Sequence, residues 1–395
     1  WTGYEVEREY YYNDAGRQMR LLGESVYTRY REILGEEAEL PENGYEGEYI
    51  RDIAQEIFSD HNDSLKDDGE NLIFKEKAEE TIFAHIRKTL GNVGIEMDSY
   101  VNEKTFYDDG SIDSVVAELR EQGLAYDADG AVWFKTTKLG KDQDTVLIKS
   151  SGEPTYRLPD IAYHCQKVKR GFDLIVDIFG TDHQATYPDV LAGVEKLGNK
   201  IDHIRVLIHQ FVTLKSAGEK VKMSTRKAEY VTLQELIGAV GSDVVRYFFI
   251  MRGMQSHLNF DLELATKESE ENPVYYLQYA HARICNIIKF GKEAGVISDH
   301  KLDLSLLVEL SELKLIKEII RFPEVAQSAL EILEPQIIAN YLQEVATSFH
   351  KFYTECRVIT DDAELTTARL ALVSATRVVL ANGLTILGIS RPERM

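Results

Sequence analysis

Residues 173–214 constrain the fold of this chain more than any other stretch. Asp173-Leu-Ile-Val-Asp-Ile-Phe179 is a mostly apolar run of strand length that ends in Gly180-Thr-Asp-His-Gln184. Val190, Leu191, Val194 and Leu197 then recur at helical spacing, and Ile204 to Leu214 reads as a second strand. Strand, helix, strand within about 40 residues is a βαβ crossover, so both strands should lie parallel in one buried sheet. Ligands of such sheets bind beyond the carboxyl ends of the strands. Gly180–His183 and the segment after Leu214 should therefore border one cleft.

The segment after Leu214 is a basic island. Lys215, Lys220, Lys222, Arg226 and Lys227 face only Glu219 and Glu229 there, in a chain of net charge −21. Lysines as point charges, with Ser224 and Thr225 as further donors, suit a polyphosphate. The same composition also suits a solvated lysine-rich turn.

Elsewhere the pattern alternates between classes. Glu5 to Tyr12 reads as a short strand, Asn13 to Gln18 as a turn, and Met19, Leu22, Val26, Tyr27 and Tyr30 as a helix. An acidic insertion follows, with amphipathic helices over Glu46–Ile57, Phe74–Leu90 and Ile112–Gln122. Val132–Lys135 and Thr145–Lys149 alternate like an antiparallel pair. Pro154 to Asp160 opens a helix that Gly171 closes, and Thr232 to Met251 turns helical. From about residue 266 the pattern is helical throughout, most clearly in Ile338, Tyr341, Leu342, Val345, Phe349 and Phe352.

Charge separates these regions. Residues 1–140 hold 15 Lys/Arg against 32 Asp/Glu, residues 141–265 hold 16 against 16, and residues 266–395 hold 14 against 18. The acidic excess sits in the first third, so the rest can carry basic patches for a nucleic acid. No apolar run approaches the roughly 20 residues that span a bilayer, and residues 1–14 form no signal-peptide core. Cys165, Cys285 and Cys356 give neither a disulfide framework nor a metal pair, which fits a reducing cytoplasm. His61 and His85 lack partners at ligand spacing.

Several stretches in order resemble arginyl-tRNA synthetases of class Ia. They are Glu9–Gln18, Tyr45–Ile50, Tyr156-Arg-Leu-Pro-Asp160, Lys222-Met223-Ser224-Thr225-Arg226, Asn259-Phe-Asp261, Asn272–Arg283 and Leu387–Met395. The Lys222–Arg226 run resembles the KMSKS loop of class I synthetases, with Thr225 and Arg226 where the class has Lys and Ser. The resemblance implies an α/β fold: a Rossmann-like parallel sheet, truncated at its N-terminal half, with an α+β insertion and then an all-α anticodon-binding bundle. The implied divisions are 1–40 and 149–215 for the catalytic sheet, 41–148 for the insertion, 216–265 for the loop and linking helices, and 266–395 for the bundle. It implies activation of arginine by ATP with Mg²⁺, transfer to tRNA(Arg), no zinc, no DNA, no membrane, a cytoplasmic monomer and no enzyme nucleophile.

The same resemblance assigns residues. Tyr156 and Asp160, one helical turn apart, offer a ring and an acid to a guanidinium, although Asp160 also suits a helix first turn. Asp182, His183, Asn13 and Gln18 join the arginine site. Lys222, Gly180, His183 and Val212 are implied for ATP. Lys220 and Lys222 to Arg226 (Met223, Ser224 and Thr225 between them) are implied for stabilising phosphate charge. Tyr279, Tyr353 and Met395 match positions that meet the anticodon loop.

One departure is large. The His-x-Gly-His motif with which class I enzymes hold ATP is absent from this sequence, and the chain starts about where that helix would end. The expectation is a truncated chain that does not form arginyl-adenylate alone. A cysteinyl-tRNA synthetase would need zinc-ligand cysteines, which three scattered ones do not supply. The remaining alternative is a non-catalytic, synthetase-like module that binds tRNA.

Overall fold

The computed structural model describes residues 1–14, 16–70, 72–216, 219–220, 231–293 and 302–395, without side chains at positions 16, 17, 216, 219 and 220. Strand β1 (Glu9–Tyr12) leads into helix α1 (Gly16–Ile33), which packs on α2 (Glu48–His61) and α3 (Leu72–Asn92). The apolar stripe Ile50, Ile53, Ala54, Ile57 of α2 is buried against Leu22, Val26, Tyr30 and Phe74. Each isoleucine, leucine, valine or phenylalanine among them contributes about 1.5–3 kcal/mol when removed from water.

Strand β2 (Ser99–Asn102) lies inside the segment read from sequence as an insertion, yet it pairs in parallel with β1, from Glu9 opposite Ser99 to Tyr12 opposite Asn102. Helices α4 (Lys104–Asp108) and α5 (Ser111–Glu121) follow. They lead to an antiparallel sheet of β3 (Ala125–Ala128), β4 (Ala131–Phe134) and β5 (Thr145–Ile148) in that order. Asp129 and Gly130, with φ of 51° and 75°, make the tight turn between β3 and β4.

The crossover is α6 (Arg157–Lys169), β6 (Ile175–Gly180), α7 (Tyr187–Lys196) and β7 (Ile204–His209), with β6 and β7 parallel from Ile175 opposite Ile204 to Gly180 opposite His209. Two expectations need correction here. The run 204–214 is not one strand. It breaks at Gln210, whose amide donates to Met254 O (2.9 Å), and Val212–Ser216 becomes β8 of a separate sheet. That sheet holds β9 (Glu219–Lys220) and β10 (Leu258–Asp261) in the order β10-β8-β9. Nor is the β6–β7 sheet buried on both faces. Ile175 and Asp177 turn inward, whereas the alternating Val176 and Ile178 are 38% and 65% exposed.

Helices α8 (Leu233–Val240) and α9 (Ser242–Ile250) are two rather than one, because Gly241 at φ 85° ends the first. After α10 (Leu262–Thr266), the bundle comprises α11 (Pro273–Glu293), α12 (Leu310–Ile320), α13 (Phe322–Ile332), α14 (Gln336–Glu355) and α15 (Ala363–Ile386). Leu277, Ile284, Leu315, Leu342, Val345, Phe349, Leu380 and Leu384 fill its core. By length and composition α15 could cross a membrane, which corrects the reading of apolar run lengths. Its buried side includes Leu372 and Leu380 in that core and Arg369, whose Nε donates to Glu312 at 2.7 Å.

Arg246 on α9 joins three distant segments. It donates to Val93 O after α3 and to Leu387 O (2.9 Å) after α15. Gly388, at φ 68°, lies so close that a Cβ there would sit 2.5 Å from the guanidinium. Arg246→Ala should lower unfolding free energy by about 2–4 kcal/mol, because two buried carbonyls lose a charged donor. Arg246→Lys should not restore it, since one ammonium cannot span both carbonyls. Urea unfolding of the parent chain and the two variants checks this, and an unchanged midpoint in Arg246→Ala would refute it.

Candidate active site

A cleft of about 660 Å³ opens at the carboxyl ends of β1 and β6. Asn13 and Tyr12 border it from β1, Phe179 and His183 from β6 and the turn after it, and Tyr156 and Asp160 from the start of α6. The His183 ring stacks on Phe179 with centroids 4.8 Å apart. Tyr156 stands 57% exposed at the rim.

The electrostatics of this cleft are unusual. Asp160 sits in the first turn of α6, where the helix dipole favours a carboxylate. Even so, burial, reinforced by the charge of Glu103, pushes its carboxyl up to about 7. Glu103 follows β2 directly, and the β1–β2 pairing brings it in: its amide donates to Tyr12 O at 3.0 Å. Burial, with Asp14 adding repulsion, pushes Glu103 up to about 7 although the Tyr107 hydroxyl donates to it at 3.1 Å. Among the described side chains, no lysine or arginine pairs with either acid. A helix-capping role for Asp160 would hold its carboxyl low rather than high. The charge of Lys167 draws the Asp160 carboxyl back only in part.

One turn further along α6 the opposite solution appears. Asp177 on β6 accepts from Lys167 and lies 3.0 Å from His164 Nε2. Burial pushes its carboxyl up, but the His164 and Lys167 bonds and charges outweigh it and bring it down to about 2. Burial pulls Lys167 down, and the pair nonetheless holds as an ion pair, because a neutral lysine would strand a buried carboxylate.

The remaining sequence candidates are placed as follows. Gln18 and Asp182 are exposed outside the cleft lining, Asp182 folding back towards Gly180 and lying 3.8 Å from His183. Gly180 is exposed at the end of β6. Val212, at the start of β8, packs on the core of the helical half rather than on the cleft. Lys222, Met223, Ser224, Thr225 and Arg226 lie outside the described residues, as does the side chain of Lys220. Glu103 escaped the sequence reading, since it falls in a segment taken as a separate insertion. It directly follows the four-residue strand Ser99-Tyr-Val-Asn102.

A second cavity, of about 630 Å³, opens between α11, α14 and the chain after α15. Tyr279, Tyr353 and Met395 all line it. Between the two rings sits Arg283, its guanidinium carbon 4.5 Å from the Tyr279 centroid and 4.9 Å from that of Tyr353. Phe290 adds an aromatic that is 61% exposed. Exposed rings around a cation suit stacked bases on a phosphate chain.

With this geometry in hand, likeness to known proteins carries weight. Residues 1–246 match the family description "tRNA synthetases class I (R), catalytic domain", and residues 277–395 match "DALR anticodon binding domain". A parallel-stranded cleft joined to such a bundle defines a class I aminoacyl-tRNA synthetase. Arginine–tRNA ligases of Salinibacter ruber and Desulfotalea psychrophila are 50% and 52% identical to the chain, covering all of it and 73% and 72% of their own lengths. A solved Campylobacter jejuni structure described as an arginyl synthetase is 32% identical, with a TM-score of 0.89 over all of this chain and 86% of its own. The arginyl-tRNA synthetase of Thermus thermophilus, at 20% identity and a TM-score of 0.71, shares the fold. The chain belongs to the arginyl-tRNA synthetase family. A catalytic-domain match over residues 1–246 does not favour the non-catalytic module.

The two raised carboxyls set a sign for stability. Their folded pKa values near 7 exceed the unfolded ones, so the folded chain binds more protons than the unfolded chain between about pH 4 and 7. Their contribution is fullest below that window and is lost as pH rises to 7. Asp160→Asn should therefore stabilise the ligand-free chain at pH 8, on the order of 1–3 kcal/mol, and little at pH 5. Thermal unfolding at the two pH values checks it, and an equal gain at both would contradict the assignment.

Proposed function

We propose that the chain attaches arginine to its tRNA through an adenylate made from Mg·ATP, the metal arriving with the nucleotide as substrate. The observation that carries the arginine site is Asp160, which lines the cleft with Tyr156 and feels the charge of Glu103, while no lysine or arginine bonds to either acid among the described side chains. A guanidinium is a flat, permanent cation with five donors, and two ionised acids beside a ring match it in charge and shape. Its arrival favours the ionised carboxyls, so binding near pH 7 should release protons.

In the first step a carboxylate oxygen of arginine attacks the α-phosphorus of ATP, and the bond to the bridging oxygen breaks to free pyrophosphate. A ribose hydroxyl of the tRNA end then attacks the arginyl carbonyl and releases AMP. Neither step needs an enzyme nucleophile; catalysis is positioning and charge stabilisation. Asn13 at the cleft supports contact with the substrate, and Gln18 and Asp182 are assigned nearby on the family pattern. Gly180, His183 and Val212 are assigned to ATP on that pattern, and Lys220 with Lys222 to Arg226 to its phosphates.

In this division of labour residues 266–395 read the tRNA, with Tyr279, Tyr353 and Met395 around Arg283 receiving unstacked bases. The enzyme works as a cytoplasmic monomer.

Charging kinetics test both sites. Asp160→Asn should raise the KM for arginine about 100-fold while leaving that for ATP within about twofold, because only the guanidinium loses its counter-charge. Citrulline, with a neutral end, should not compete. Tyr279→Ala should raise the KM for tRNA about 5- to 100-fold without moving that for arginine. An arginine KM untouched by Asp160→Asn would remove that acid from the pocket.

A further inference from the structure

Tyr11 stands in the middle of β1. Its ring lines the arginine cleft and stacks on Tyr163, with centroids 4.5 Å apart and 16° between the planes. Its hydroxyl is buried and meets no hydrogen-bond partner among the described residues. The titratable groups whose charge acts on it are Glu103, Asp160, Tyr107 and Tyr163, from β2's end, α6 and α4. A buried hydroxyl with no partner weakens the fold, so one that borders an open cleft calls for a partner that enters the cleft.

The ring is also prevented from turning away. Tyr163 donates to Glu9, on the same strand as Tyr11. Glu9 is gripped by Arg170 through two bonds of 2.7 and 2.9 Å, and by Ser99 at 2.9 Å. The stack therefore holds the Tyr11 ring in a set position at the cleft. That is pre-organisation, in which the ordering is already complete before a ligand arrives.

We propose that Tyr11 is a specificity-determining residue whose hydroxyl oxygen accepts one N–H of the arginine guanidinium. This rests on reading the cleft as the arginine pocket. The guanidinium brings five N–H donors in one plane, more than the two carboxylates meet edge to edge, and a phenol oxygen supplies a further acceptor. An ammonium concentrates its three donors at one point and cannot engage all three groups in the same way. Selection for arginine over lysine thus gains a geometric element beyond charge.

The test is Tyr11→Phe, which removes one oxygen and keeps the ring stack. In charging by the complete enzyme the KM for arginine should rise about tenfold, with kcat and the KM for ATP nearly unchanged. The melting temperature of the ligand-free chain should instead rise, by about 1–2 °C, because an unpartnered buried hydroxyl is gone. Tyr11→Leu, which loses the stack as well, should lower it. A hydroxyl with a merely structural bond would give a lower melting temperature in Tyr11→Phe, and that result overturns the proposal. So does an unchanged arginine KM in Tyr11→Phe, provided Asp160→Asn still raises it. If neither variant alters the arginine KM, the reading of the cleft itself fails.

Discussion

The cleft depends on one carboxylate, that of Glu9. It joins three elements that sequence places far apart: its own strand β1, strand β2 through Ser99, and helix α6 through Tyr163 and Arg170. Burial pushes this carboxyl up, but the Arg170, Tyr163 and Ser99 bonds outweigh it and hold it below the usual range. A charge satisfied on so many sides keeps its neighbours in register. With β1, β2 and α6 locked together, Glu103 and Asp160 are forced into each other's company.

Helix α6 and strand β6 then hold two kinds of acid, Asp160 and Asp177. Asp177 is matched by Lys167 and His164 and belongs to the scaffold. Asp160 and Glu103 are left without a described counter-ion, a local conflict that a well-packed scaffold would not keep for its own stability. The contrast in partners is what separates site from support. The matched acid is silent at neutral pH, whereas the unmatched pair titrates there and answers to whatever cation arrives.

Much of this was legible in the sequence where periodicity or chemistry is local. The crossover, the helical bundle, and the Tyr156–Asp160 spacing follow from residues close together in the chain. Tyr156, Asp160, His183 and Asn13 do come together at one cleft, and Tyr279, Tyr353 and Met395 at another cavity. Glu103 and Tyr11 were not legible, because their roles come from a parallel pairing across some 90 residues. The break at Gln210 was hidden for a related reason. A run of apolar residues looks continuous whether its two halves serve one sheet or two, and only the tertiary partner, Met254 O, decides it.

What the sequence determined by itself was class: a parallel α/β unit, an acidic α+β segment, a helical bundle, and the family resemblance written in short motifs. Those are consequences of side-chain periodicity and of neighbours within a turn or two. What only the tertiary structure decided was electrostatic state. Asp160 reads as an ordinary first-turn helix acid until Glu103 is folded against it and water is withdrawn from both. Desolvation and through-space charge depend on which residues end up adjacent, and no local pattern records them.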